Sequence, residues 1–71
     1  MVNSNKIKGR IVELGLTQKD LAKALSVALP TVSQKINNVR SMNVKEAFII
    51  AEVLNIPDKE FRDYFFKEEI A

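Results

Sequence analysis

Two short segments with helical apolar spacing, set only three residues apart, constrain this chain more than any other feature of it. Leu16-Thr17-Gln18-Lys19-Asp20-Leu21-Ala22-Lys23-Ala24-Leu25 places Leu21 and Leu25 on one face at i, i+4, behind a Thr17 with the side-chain oxygen a helix N-cap needs. Leu29-Pro30-Thr31-Val32-Ser33-Gln34-Lys35-Ile36-Asn37-Asn38 repeats that spacing with Val32 and Ile36. Two short helices joined by a tight turn, with an amphipathic helix before and another after, make a helix-turn-helix layout. That layout can set its second helix in a DNA major groove.

The rest of the chain reads as helix too. A first helix runs from about Ser4, a plausible N-cap, to Leu14, with Ile7, Ile11 and Leu14 as its stripe and Gly15 as its stop. Gly9 inside it costs about 1 kcal/mol against Ala, which a close helix contact would explain. The second helix spans about Gln18 to Leu25. The third starts near Pro30, because a proline disfavours α geometry at Leu29, and ends near Asn37, with Asn38 left-handed at the exit. The fourth follows Asn43 and continues to Leu54, with Ala47, Ile50, Ala51 and Leu54 turned inward. Pro57-Asp58 opens the fifth, anchored by Phe61, Tyr64 and Phe65. Strand alternation is nowhere sustained, so the class is all-α. Residues 1–71 form a single domain, with a core at about 5–66 and a short charged tail at 67–71.

With 71 residues, 46% apolar and 28% charged, the chain suits one soluble globular domain with a small core. It has neither Cys nor His, which excludes disulfides, thiolate ligands and His-based acid–base chemistry and makes a zinc site untenable. No Ser-His or Cys-His arrangement and no Gly-rich phosphate loop occurs, and the carboxylate pair Glu68-Glu69 sits in the tail. The expectation is therefore no enzyme, no cofactor, no metal and no small-molecule substrate. No apolar run approaches the roughly 20 residues of a membrane span, and Met1-Val2-Asn3-Ser4-Asn5 does not read as a signal peptide. A cytoplasmic location is expected.

The net charge of +2 hides a split. Residues 1–45 carry eight Lys/Arg against two Asp/Glu, and residues 46–71 carry three against seven. A basic face for a polyanion and an acidic end turned elsewhere would produce this. Docked as a helix-turn-helix, the third helix would present Leu29, Pro30, Thr31, Ser33, Gln34 and Lys35 to the groove. Asn37, Asn38 and Arg40 would meet the DNA backbone at its exit. Gln34 has the chemistry for a bidentate pair with adenine, and Thr31 for a thymine methyl.

These residues resemble the lambda-repressor-like, or XRE/Cro-type, helix-turn-helix family. Leu16-Thr17-Gln18 and Leu21-Ala22 match its Leu-Thr-Gln-x-x-Leu-Ala pattern, and Asn37-Asn38 stands where the family often has Asn-Gly. The resemblance covers roughly residues 5–66 and implies a five-helix DNA-binding domain. It also implies that Thr17, Gln18 and Lys19 face a phosphate, with Gln18 in the family's phosphate-contacting place. In many relatives an Arg on the first helix pairs with a Glu on the third; here Ile11 and Ile36 replace the ion pair.

The chain is most similar to short Cro-like or repressor-modulating proteins of temperate phages of Gram-positive hosts, a comparison that the ending Asp63-Tyr64-Phe65-Phe66 and the lack of a further C-terminal domain both fit. That likeness implies a transcriptional regulator of a phage lysogeny switch, acting in the cytoplasm of the bacterial host cell. It would bind double-stranded operator DNA as a homodimer or together with a phage repressor. The alternative is an antirepressor that binds a partner repressor and alters its DNA binding. Val27, Ala28, Leu29 and Pro30 favour that alternative, since most relatives carry polar groups there. Ile49 and Val53 form a second apolar stripe, with Phe48 and Phe66 adding bulk, and offer a contact for a second copy or another regulator.

Overall fold

Five helices and no strand make up the computed structural model, which describes residues 1–66. They are α1 (Ser4–Glu13), α2 (Gln18–Leu25), α3 (Leu29–Ile36), α4 (Val44–Val53) and α5 (Asp58–Phe65). The expected tail at 67–71, with Glu68 and Glu69, lies outside the described residues. No described helix is long and apolar enough to cross a membrane.

The helix starts follow side-chain chemistry. Asn3, not Ser4, caps α1: its Oδ1 accepts the Lys6 N–H at 3.2 Å, while Ser4 is already helical and its hydroxyl points to Asn37. At α2 the Asp20 carboxylate accepts from both the N–H and the hydroxyl of Thr17, at 2.8 and 3.1 Å. At α4 Asn43 and Glu46 cap each other reciprocally at 2.8 and 3.0 Å. The start of α3 corrects the expectation of a late beginning. Leu29 is helical, and Ala28 is the extended residue (φ −70°, ψ 152°). Pro30 falls in the first turn, where no N–H has an intrahelical acceptor to lose, so the proline ring is tolerated without shortening the helix.

The helix exits share a device. Gly15 (φ 71°), Ser26 (56°), Asn38 (62°) and Asn55 (52°) are left-handed, and each is followed by an apolar residue whose N–H reaches back into the last turn. These reaches are Leu16 to Ile11, Val27 to Ala22, Val39 to Gln34 and Ile56 to Ala51, at 2.8–3.0 Å. Leu16, Val27 and Ile56 tuck against the core. Val39 does not: it stays 72% exposed.

Ile7, Leu21, Val32, Ile36, Ile50 and Leu54 are fully buried, one or two from each of the first four helices, and Tyr64 and Phe65 close the core from α5. Ile11 and Ile36 are both buried members of it. The inward residues expected of α4 are all buried, although the helix ends at Val53, with Leu54 as its cap. α2 packs chiefly on α3 and α4, and α1 on α3 and α5.

Polar ties lock this arrangement. Arg10 of α1 donates to the Leu54 and Asn55 carbonyls at 2.9 and 3.1 Å, at the negative end of α4, and also pairs with Glu13. Lys35 of α3 meets Glu46 of α4 at 2.9 Å. The N-terminal residues strap across the fold. Val2 is buried, Asn3 N–H donates to the Tyr64 carbonyl at 2.7 Å, and the Asn38 side chain both accepts from Val2 N–H (2.9 Å) and donates to its C=O (3.0 Å).

Gly9 has no neighbour within 4 Å of where a Cβ would stand, so no close helix contact accounts for it. Gly9→Ala should therefore stabilise the chain by about 1 kcal/mol, the helix-propensity difference. Urea denaturation checks this through a higher midpoint at unchanged slope.

Candidate functional site

The surface built by α2 and α3 begins with how α3 is held. Val32 and Ile36 turn into the core and leave Leu29, Pro30, Gln34 and Asn37 facing outward, with Thr31 and Ser33 half-buried at the edges. Ser26, left-handed, and Ala28, extended, reverse the chain between the two helices.

The sequence candidates divide by what already engages them. Gln34 is exposed, and among the described residues no hydrogen bond holds its side chain; its backbone carbonyl accepts from Val39 and Arg40 N–H at 2.8 and 3.2 Å. Arg40 is exposed and has no ion-pair partner among the described residues. Gln18, half-buried, and Lys19, exposed, lie in the first turn of α2. Thr17 is exposed but tied to Asp20.

Three candidates are committed elsewhere. Lys35 is only 15% exposed at its side chain, and its ammonium is shared between Glu46 and the Ser41 carbonyl at 3.2 Å. It is a tether between α3 and α4, so it does not offer a free cation. The Asn37 Oδ1 accepts from the Ser4 hydroxyl and the Lys8 ammonium, and its Nδ2 donates to the Ser33 carbonyl at 2.8 Å. Asn38 is occupied by Val2 on both sides of its amide. Local spacing could not foresee Glu46, Lys8, Ser4 and Val2 as partners, which lie eleven to thirty-six residues away.

The fold perturbs the titration of Glu46. Burial alone would raise its pKa, but hydrogen bonds from Lys35 and from the Asn43 N–H, with the lysine's charge, hold it below its ordinary value.

Two residues escaped the sequence reading. Lys23 is exposed one helical turn after Lys19 on α2, and i, i+4 spacing from a candidate cation was the available signal. Val39 stands out beside Arg40 although its three counterparts at the other exits pack inward. Lys19, Ala22, Lys23, Ser26, Val27 and Leu29 line one depression of about 530 Å³. Asn38, Val39 and Arg40 line another, of about 360 Å³, together with Met1 and Phe66.

The second apolar stripe differs from expectation. Ile49 and Val53 are half-buried, Val53 against the core, because the packing of α4 extends beyond its inward face. Phe48 and Phe66, expected to add bulk to that stripe, are exposed about a shared Phe61, with ring centroids 4.9 and 5.8 Å from it, and Val44 is exposed one turn before Phe48. Val27 is half-buried, whereas Ala28, Leu29 and Pro30 are exposed.

A family model described as "Protein of unknown function (DUF739)" matches residues 2–68. No curated protein and no solved structure matches the chain.

Proposed function

The chain belongs to the DUF739 family, and because that membership assigns no activity, we propose one from its surface: a small transcriptional regulator that binds duplex DNA through α3. In this reading α2, the Ser26 turn and α3 act as a helix-turn-helix of lambda-repressor-like type in the cytoplasm of a bacterial host, regulating a phage genetic switch. Operator binding would be as a dimer or beside a partner repressor. The observation that carries it is the outward Gln34, whose side chain no hydrogen bond holds among the described residues, on a helix whose other face is anchored by fully buried Val32 and Ile36. A rigid support with an unengaged amide is what base reading needs, since the side chain gives up no internal bond on binding. Lys19, Lys23 and Arg40, none with an ion-pair partner among the described residues, would supply cations for phosphates.

A second reading, a modulator that docks on a partner repressor, is favoured by one observation: Leu29 is 46% exposed at the leading turn of α3. A mobility-shift assay on the DNA flanking its own gene, with and without the neighbouring repressor, separates the two. For the DNA reading, Gln34→Ala should cost about 1–3 kcal/mol at one base position only, while Arg40→Ala weakens all sequences alike. Equal small effects of both on every sequence would remove base reading.

A further inference from the structure

We propose that the depression between α2 and the leading turn of α3 is a docking site for an acidic amphipathic helix of another protein, which would exclude DNA from the same face. The inference rests on the second reading above and deepens it by naming the partner's chemistry.

The site has an apolar floor and a cationic rim. Ala22 and Val27 form the floor, and Leu29 rises beside them, 46% exposed. Leu21 and Val32 of the same two helices are fully buried, whereas among the described residues nothing covers Leu29 to that extent. Lys19 and Lys23 stand on the rim at i, i+4, which puts their Cβ atoms about 5–6 Å apart. Neither has a hydrogen-bond or ion-pair partner among the described residues. Asp20, the acid beside Lys19 in the chain, is turned to Thr17.

An occupant must therefore bring two anionic groups one helical turn apart and an apolar side chain on the same face. Carboxylates at i, i+4 on a partner helix have that spacing, and a Leu or Phe on the same face would cover Leu29 and Val27. A phosphate backbone would also answer the lysines, but it would lay a polar, hydrated chain over Leu29 and forgo the apolar contact. The apolar floor therefore gives a protein occupant a contact that a phosphate backbone, competing for the same lysines, forgoes. The lysines would steer the encounter, and burial of Leu29 would hold the complex. Because Lys19 and Leu29 also belong to the face proposed for DNA, the two occupants exclude each other.

Two synthetic amphipathic peptides of about 14 residues test this, sharing one Leu stripe but flanked by Glu in one and Lys in the other. Each is titrated into the ¹⁵N-labelled full chain, as is a short random-sequence DNA duplex. The Glu-flanked peptide should bind at least about tenfold tighter than the Lys-flanked one. It should move the amides of Lys19, Ala22, Lys23, Val27 and Leu29, and the duplex should displace it. The double variant K19E/K23E should lose the preference for Glu flanks; if it fails to fold, K19Q/K23Q keeps the test, since both side chains are exposed. Equal binding of the two peptides, or shifts gathered on Phe48, Phe61 and Phe66, would overturn the proposal. So would a duplex that moves those five amides while neither peptide does. In that last case shifts at Gln34 and Arg40 would leave DNA reading standing, so the two failures are distinguishable.

Discussion

Glu46→Ala should destabilise the chain by about 3 kcal/mol, read as a lower denaturant midpoint. Removing one partner of a largely buried pair costs roughly 3–5 kcal/mol, because the remaining charge stays desolvated without compensation. Lys35 and Glu46 are 15% and 16% exposed at their side chains, so residual hydration sets the loss at the low end of that range. The substitution also strips the Asn43 N–H of its acceptor and with it half the cap of α4. Replacing both members together, as K35M/E46L, should recover much of the loss, since no charge is then stranded.

The same pair gives a sign for pH. The Glu46 pKa is lowered on folding, so its contribution is present above the ordinary carboxylate value and disappears as pH falls through the lower folded value. Wild type should lose stability with acidification below about pH 4.5, and Glu46→Ala should show a shallower decline over that interval. Parallel wild-type and variant curves would assign the acid sensitivity to other carboxylates.

Asn38→Ala should cost about 2–3 kcal/mol. The Asn38 amide pairs with Val2 as a peptide unit would, donating to its carbonyl and accepting from its N–H, and Val2 is buried. Truncation leaves both Val2 groups unsatisfied, at about 1–3 kcal/mol each when water cannot reach them and less at a strap near the surface. It also leaves a Cβ residue at φ 62° without the side-chain bonds that hold it there. Local turn chemistry alone would make Asn38→Gly neutral or mildly stabilising. The Val2 clamp reverses that, so Asn38→Gly should still destabilise by about 1 kcal/mol after relief of the left-handed strain. Amide exchange should locate the loss, with faster exchange at Val2 and Asn3 and the α1 core unchanged. A variant as stable as wild type would show that the clamp contributes nothing.

What was legible in the sequence was local. The stripe of Val32 and Ile36, the Asn43 cap, the Pro57-Asp58 opening and the positive φ at Asn38 all depend on residues within about four positions of one another, the reach of helix periodicity and capping. Ser26 and Asn55 as left-handed exits were also local. Each precedes an apolar residue after a helix, as Gly15 precedes Leu16. Arg10 on the far end of α4, Lys35 on Glu46 and Asn38 on Val2 were not legible. Each partner lies a helix or more away, and many exposed acceptors would have served a lysine or an asparagine equally well in the sequence. The candidate surface therefore lost Lys35, Asn37 and Asn38 to structural duties and gained Lys23 and Val39. Gln34, Lys19 and Arg40 remain on it, with no side-chain partner among the described residues.

The central claim is that this remaining face binds duplex DNA, and the dependence of affinity on salt tests it most directly. If Lys19, Lys23 and Arg40 each neutralise a phosphate, the logarithm of the affinity should fall against that of salt concentration with a slope of about −3. Arg40→Ala should make that slope shallower by about 1. Fluorescence anisotropy on a labelled duplex, from low to physiological salt, reads both values. No binding at low salt, or an affinity indifferent to salt and to Arg40→Ala, would contradict the account.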